Sequence, residues 1–133
     1  MRHVRSIVFV LFGLGFVPDV SAHRVAEQQC LALAIYWEAR GESRRGMRAV
    51  SAVVLNRVAD SRFPDSLCAV VKQGGPVPPC QFSWWCDGKS DRPRDWRSWQ
   101  RAMSIADDML HARRYDRIRG ALFFHSASVR PRW

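Results

Sequence analysis

Apolar positions along the chain fall into a few well-marked segments. From Cys30 to Arg40 the residues are apolar on almost every side of a helix, which reads as an element buried nearly all round, and Gly41 is its expected stop. Ser43 offers an N-cap to a second helix running through about Ala59, where Met47, Val50, Val54 and Val58 recur at helical spacing as a core stripe. Asn56 falls on the other side of that helix, among Ala49, Ala52 and Val53; it is either a satisfied buried amide or a site residue. Phe63-Pro64-Asp65 opens a shorter third helix to about Lys72, with proline tolerated in the first turn.

The stretch Gly74-Gly75-Pro76-Val77-Pro78-Pro79 cannot be regular structure and delivers an aromatic loop, Cys80 to Gly88. A last helix is predicted from near Asp95 to about Arg114, with Trp96, Trp99, Met103, Ala106 and Leu110 on its buried face. Ala121 to His125 reads as a short strand and Val129 to Trp133 as an extended tail. The pattern predicts an α+β chain, predominantly helical, with a small irregular or β region late on.

The N-terminus changes the picture of what surrounds the protein. Arg2 and Arg5, the apolar run Ile7 to Val17 and the small residues Val20-Ser21-Ala22 have the layout of a secretory signal peptide over residues 1–22. The apolar run is well short of the roughly 20 residues a membrane span needs. The expectation is export to the periplasm or cell envelope, with no integral membrane segment after cleavage and one domain over residues 23–133. Four cysteines remain in it, Cys30, Cys68, Cys80 and Cys86, and an even number in a small exported domain favours two disulfides, with three pairings open. No C-x-x-C and no histidine pair at ligand spacing favours zinc, so no metal and no cofactor is expected.

The formal charge is +9, and nineteen of the twenty-one basic residues are arginine. In an exported protein that balance points to the acidic polymers of an envelope rather than to nucleic acid.

Glu38 is the only charged residue between Cys30 and Ala39. A carboxyl in such company is partly desolvated, its pKa rises, and it can hold a proton near neutrality as a general acid must. The Cys80–Gly88 loop sets Phe82, Trp84 and Trp85 beside Gln81 and Ser83, aromatic faces next to short polar groups, as a sugar-binding cleft requires. Adjacent tryptophans in an extended segment point opposite ways, so one is expected in the core and one toward substrate. Glycoside cleavage ordinarily uses two carboxyls; Glu42, Asp65, Asp87 and Asp91 are the possible partners of Glu38, and none stands out. There is no G-x-S-x-G, no H-E-x-x-H and no phosphate-binding glycine loop. Among the histidines His125, after Phe123-Phe124, is either a packed residue or part of a site.

Four motifs follow one another in order: Ala34 to Glu42 (A-I-Y-W-E-A-R-G-E), Val54 to Val58 (V-L-N-R-V), Phe63-Pro64-Asp65, and Gln81 to Gly88 (Q-F-S-W-W-C-D-G). Together they resemble the spore-cortex-lytic type of bacterial cell wall hydrolase. The resemblance spans most of residues 30–133 and implies a lysozyme-like fold acting on peptidoglycan. It implies that Glu38, the first glutamate of E-A-R-G-E, is the catalytic acid. It further implies a lytic transglycosylase, in which one carboxyl protonates the leaving oxygen and then takes a proton from the substrate's own hydroxyl, cutting between N-acetylmuramic acid and N-acetylglucosamine. A muramidase, an N-acetylmuramoyl-L-alanine amidase and an inactive peptidoglycan-binding module are the alternatives. On this reading Gln81, Phe82, Ser83 and Trp84 line the glycan cleft, with Glu42, Asn56 and His125 as further substrate-contacting candidates. Members of the family continue past the segment matching Val129–Trp133 with another strand-like stretch, so some edge contacts are expected to be lacking.

Overall fold

The computed structural model of the protein describes residues 20–112, 118–125, 130 and 132. Among the described residues the elements in chain order are α1 (Val20–Ala39), α2 (Arg44–Val58), α3 (Leu67–Val71), the 3₁₀ turn Ser83–Cys86, and α4 (Trp96–His111). The basic and apolar parts of the expected signal segment lie outside the described residues. Val20, Ser21 and Ala22, the expected cleavage residues, form the first turn of α1.

α1 begins about ten residues before the predicted start at Cys30. The preceding segment, with Ala26, Glu27, Gln28 and Gln29, holds good helix formers and no glycine or proline, so nothing interrupts the helix once its apolar half is packed. That half is the centre of the molecule. Leu31, Ala32, Ala34, Ile35, Tyr36 and Ala39 are buried, and α1 packs against α2, α3 and α4 in turn. An apolar all-round helix is stable in water only when neighbours cover each side, and three of them do so here.

α2 starts where expected, because the Ser43 side chain accepts a hydrogen bond from Gly46 N–H. Met47, Val50 and Val54 of the predicted stripe are buried, and Val58 is half-buried. α3 is shorter than predicted. Ser66 caps it through Ala69 N–H, so Phe63-Pro64-Asp65 is the approach to the helix and not its first turn. The carboxylate of Glu27 accepts from Leu67 N–H at 2.6 Å, closing the same end from α1. The disulfide Cys30–Cys68 then staples α1 to α3.

α4 is capped by Asp95, which accepts from Arg97 and Ser98 N–H. Its buried face overlaps the predicted one, since Ala106 is buried and Trp99 and Met103 pack partly buried against the core. Ala102, Ile105, Ala106 and Met109 face the core, whereas Trp96 is 68% exposed and Leu110 lies at the surface. The two ends of the predicted stripe, Trp96 and Leu110, fall outside the face, which is centred on Ala102, Ile105 and Ala106. Arg44 and Arg48 of α2 both reach Asp108 of α4 across the surface.

The predicted strand is not formed. Residues 121–125 carry no regular secondary structure, and no strand exists among the described residues. This strap is instead fastened to α2 by side chains. Asn56 Nδ2 donates to the Ala121 carbonyl at 2.9 Å, and Arg57 Nε donates to the Leu122 carbonyl at 2.8 Å. Of the predicted tail, only Arg130 and Arg132 are among the described residues.

Candidate active site

Glu38 sits in the last turn of α1, where the helix leaves the core, and its side chain is half-buried. Burial pushes its pKa up from the ordinary 4.5, and the positive charge of Arg57 pulls part of the way back. The indole N–H of Trp84 also approaches the carboxyl and favours its charged form, although no hydrogen bond of full geometry closes there. Desolvation is the stronger influence, so Glu38 keeps its proton to higher pH than a solvated glutamate.

Two clefts meet at this carboxyl. The larger, about 600 Å³, is lined by Glu38, Glu42 and His125 together with apolar groups such as Val50, Val53 and Ile118. The smaller, about 310 Å³, is lined by Glu38, Arg57, Gln81, Phe82 and Ser83. Phe123 and Phe124 of the strap line both, and they are 56% and 40% exposed. Large aromatic rings held at a surface beside a protonatable acid are suited to stacking on sugar faces. A separate hollow of about 610 Å³, between the first turns of α1 and the end of α4, holds none of the expected site residues.

The expected site residues divide accordingly. Glu38, Glu42 and His125 come together on one side, and Glu38, Gln81, Phe82 and Ser83 on the other. Phe82 is almost wholly buried, so it is the base of the smaller cleft more than its lip. Glu42 is exposed and lies over Gly46, where any added Cβ would stand 3.0 Å from the Cβ of Glu42. Asn56 reaches neither cleft; its amide is committed to the strap. Of the candidate partner carboxyls, Glu42 alone shares a cleft with Glu38, while Asp87 and Asp91 line a recess on the far side of Trp84.

Trp84 is buried and stacks on Trp37 with centroids 6.3 Å apart and planes 24° from parallel. Trp85 is half-buried under Lys72. Neither tryptophan lines the two clefts at Glu38, so the expected division between core and substrate does not describe them. The Cys80–Cys86 disulfide closes the loop that carries both, and Gly74, at φ +97°, permits the tight return to Cys80. A Cβ at that glycine would lie 2.6 Å from the Pro79 carbonyl oxygen.

Arg57 is the site residue that the sequence pattern hides. An arginine in an amphipathic helix reads as solvent-facing, yet this one is 2% exposed. Its guanidinium lies 5.4 Å from the ring centroids of Phe63 and Phe123 and 5.6 Å from that of Phe82. Its Nη1 is buried with no hydrogen-bond partner. Phe63-Pro64-Asp65 and the aromatic loop were both conspicuous, but nothing in their spacing showed that they close around one cation.

The model of the cell wall hydrolase family matches residues 41–133. The chain belongs to that family. The matched span opens at Gly41, just after Glu38. Among curated proteins, the chain is 49% identical over 60 residues to a spore cortex-lytic enzyme of Oceanobacillus iheyensis, covering 43% of this chain and 22% of that protein. Similar stretches occur in the spore cortex-lytic enzymes of Halalkalibacterium halodurans (41% over 61 residues; 46% of this chain, 17% of that one) and Bacillus subtilis (41% over 59 residues; 44% and 18%). This cell wall hydrolase thus spans about a fifth of the length of those relatives. No solved structure matches it. Among the described residues, no helix is long and apolar enough to cross a membrane.

Proposed function

We propose that this cell wall hydrolase cuts the glycan strand of peptidoglycan as a lytic transglycosylase, outside the cytoplasm, with Glu38 as the single acid and base. The observation that carries this reading is the desolvated carboxyl of Glu38 at the junction of two clefts walled by Phe123 and Phe124. With the scissile linkage over Glu38, one sugar occupies each cleft. Glu38, protonated, gives its proton to the bridging oxygen, and the bond between that oxygen and the anomeric carbon breaks. The carboxylate then takes the proton of the same sugar's 6-hydroxyl as that oxygen closes on the anomeric carbon. Atoms balance without water, and the enzyme ends with its proton restored. Arg57 favours the carboxylate present between the two steps, and its ordering of the strap keeps the aromatic walls in place.

Gln81 and Ser83 give the smaller cleft its hydrogen-bonding lip, and Glu42 and His125 play that part in the larger one. Domain boundaries follow the same reading, with residues 1–22 as the export signal and 23–133 as the catalytic unit.

Mass spectrometry of products from purified peptidoglycan tests the proposal. Anhydro-muropeptides are expected, and Glu38→Gln, which keeps shape and removes the titrating group, should lower their yield by at least about 10²-fold. Reducing-end products would replace the mechanism with hydrolysis, and Glu42 would become the second carboxylate to test. Free stem peptides would overturn glycan cleavage altogether.

A further inference from the structure

Behind Trp84 lies a recess of about 430 Å³ that the proposed chemistry leaves unused, lined by Tyr36, Trp37, Arg40, Trp84, Asp91 and Arg94 among others. One of its cations, Arg40, is held in place by its charged group, and a second, Arg94, by its backbone. The Arg40 guanidinium lies 5.1 Å from the Tyr36 ring centroid and 5.3 Å from that of Trp37, and its Nη1 donates to the Tyr36 hydroxyl at 3.2 Å. The same hydroxyl accepts the backbone N–H groups of Arg94 and Asp95, at 3.2 and 3.1 Å, fixing where the Arg94 side chain begins. Neither arginine forms an ion pair among the described residues. Asp87 accepts from Lys89 N–H and pairs with its ammonium at 3.8 Å, and Asp91 is half-buried; with Arg40, Lys89 and Arg94 against these two carboxylates, the lining keeps a net positive charge. A guanidinium packed against two rings set 85° apart and bonded to the Tyr36 hydroxyl is restrained, and its other N–H groups can serve a carboxylate.

The recess is also within reach of the cleft. Ser83 lines the smaller cleft and Asp87 the recess, at the two ends of the 3₁₀ turn Ser83–Cys86. Four residues at about 2 Å rise each make a separation of roughly 8 Å. A peptide spans at most about 3.3–3.6 Å per residue, so two or three residues bridge it.

We propose that this recess binds a carboxylate of the acidic peptide borne by the glycan, with Arg40 and Arg94 as donors. The proposal rests on the glycan reading of Glu38 for its substrate. The sugar that carries the peptide enters the cleft while the peptide turns over the 3₁₀ turn, so uncut strands with their peptides intact are favoured over bare glycan.

Calorimetric titration of the protein with a soluble muramoyl peptide, as the free acid and as its carboxamide, tests the recess without turnover. The acid form should bind about fivefold tighter, as expected for exposed but ordered charge pairs. Arg94→Gln should remove most of that preference; because Tyr36 holds the Arg94 backbone, this variant keeps the local packing. Equal affinity for the two forms, or a preference that survives both Arg94→Gln and Arg40→Gln, would overturn the proposal. In parallel, the rate on peptide-bearing strands relative to peptide-stripped strands should fall in Arg94→Gln. If the native protein cuts neither substrate, the glycan reading fails, while the titration still decides the recess.

Discussion

The two disulfides should differ in what they protect. Cys30–Cys68 closes a span of 38 residues and Cys80–Cys86 one of 6. Chain-entropy reasoning, with the loop term growing as the logarithm of length, makes their removal cost about 3.9 and about 2.2 kcal/mol respectively. Their positions invert that ranking for activity. Cys30–Cys68 joins α1 to α3 and lines neither cleft. Cys80–Cys86 brackets the turn that sets Trp84 against Glu38 and supplies Gln81, Phe82 and Ser83. The Cys30→Ala/Cys68→Ala pair should therefore lose about 1.7 kcal/mol more stability than Cys80→Ala/Cys86→Ala. The second pair should lose more peptidoglycan-cleaving activity under conditions where both remain folded. Urea unfolding followed by circular dichroism, beside turbidity clearance of purified sacculi, measures both quantities. Each variant removes two sulfurs, so their lost packing cancels to a first approximation in the comparison. Greater destabilisation by the short-loop pair, or activity losses ranked in the order of stability, would refute the reasoning.

Other consequences follow from the site. Because desolvation raises Glu38 above 4.5, its contribution to stability is fully present below the unfolded value and is lost as pH rises through the folded one. Glu38→Gln should flatten the difference in urea midpoint between pH 4 and pH 7, and native kcat/KM should fall as pH rises through the folded pKa. Arg57→Met removes a cation that favours the charged Glu38 and a bond to the Leu122 carbonyl. It should cost about 1–3 kcal/mol and move the alkaline limb of kcat/KM to higher pH; an unmoved limb would make Arg57 merely structural. Glu27→Ala frees Leu67 N–H and Cys68 N–H at the start of α3 and should cost about 1 kcal/mol in thermal or urea unfolding.

The local signals that proved readable were those that act within a few residues. Ser43 marked the start of α2, Asp95 that of α4, and the isolated charge of Glu38 marked the end of α1 as unusual. All three are consequences of short-range chemistry: a cap satisfies a neighbouring N–H, and a lone carboxyl stands out against an apolar stretch. What escaped depends on partners distant in sequence. Arg57 is buried because residues 63, 82 and 123 converge on it, and Asn56 is spent on a carbonyl 65 positions away. Leu122-Phe123-Phe124 has the composition of a strand, but a strand needs a partner, and side chains of α2 supply the hydrogen bonds in its stead. On α4 the middle of the expected stripe, Trp99, Met103 and Ala106, packs on the core, while its ends, Trp96 and Leu110, lie at the surface beyond the reach of neighbouring helices.

The strap carries a consequence for how the enzyme's preferences can change. Asn56 and Arg57 grip it by the carbonyl oxygens of residues 121 and 122, atoms that every amino acid possesses. These two bonds are indifferent to which side chains the strap displays, although the Phe123 ring also packs on the Arg57 guanidinium. Substitution at Phe124 can remodel the shared wall of both clefts while the two backbone-directed bonds stay as they were. Anchorage and selectivity reside in different atoms of the same short segment, and such a separation lets one drift while the other is kept.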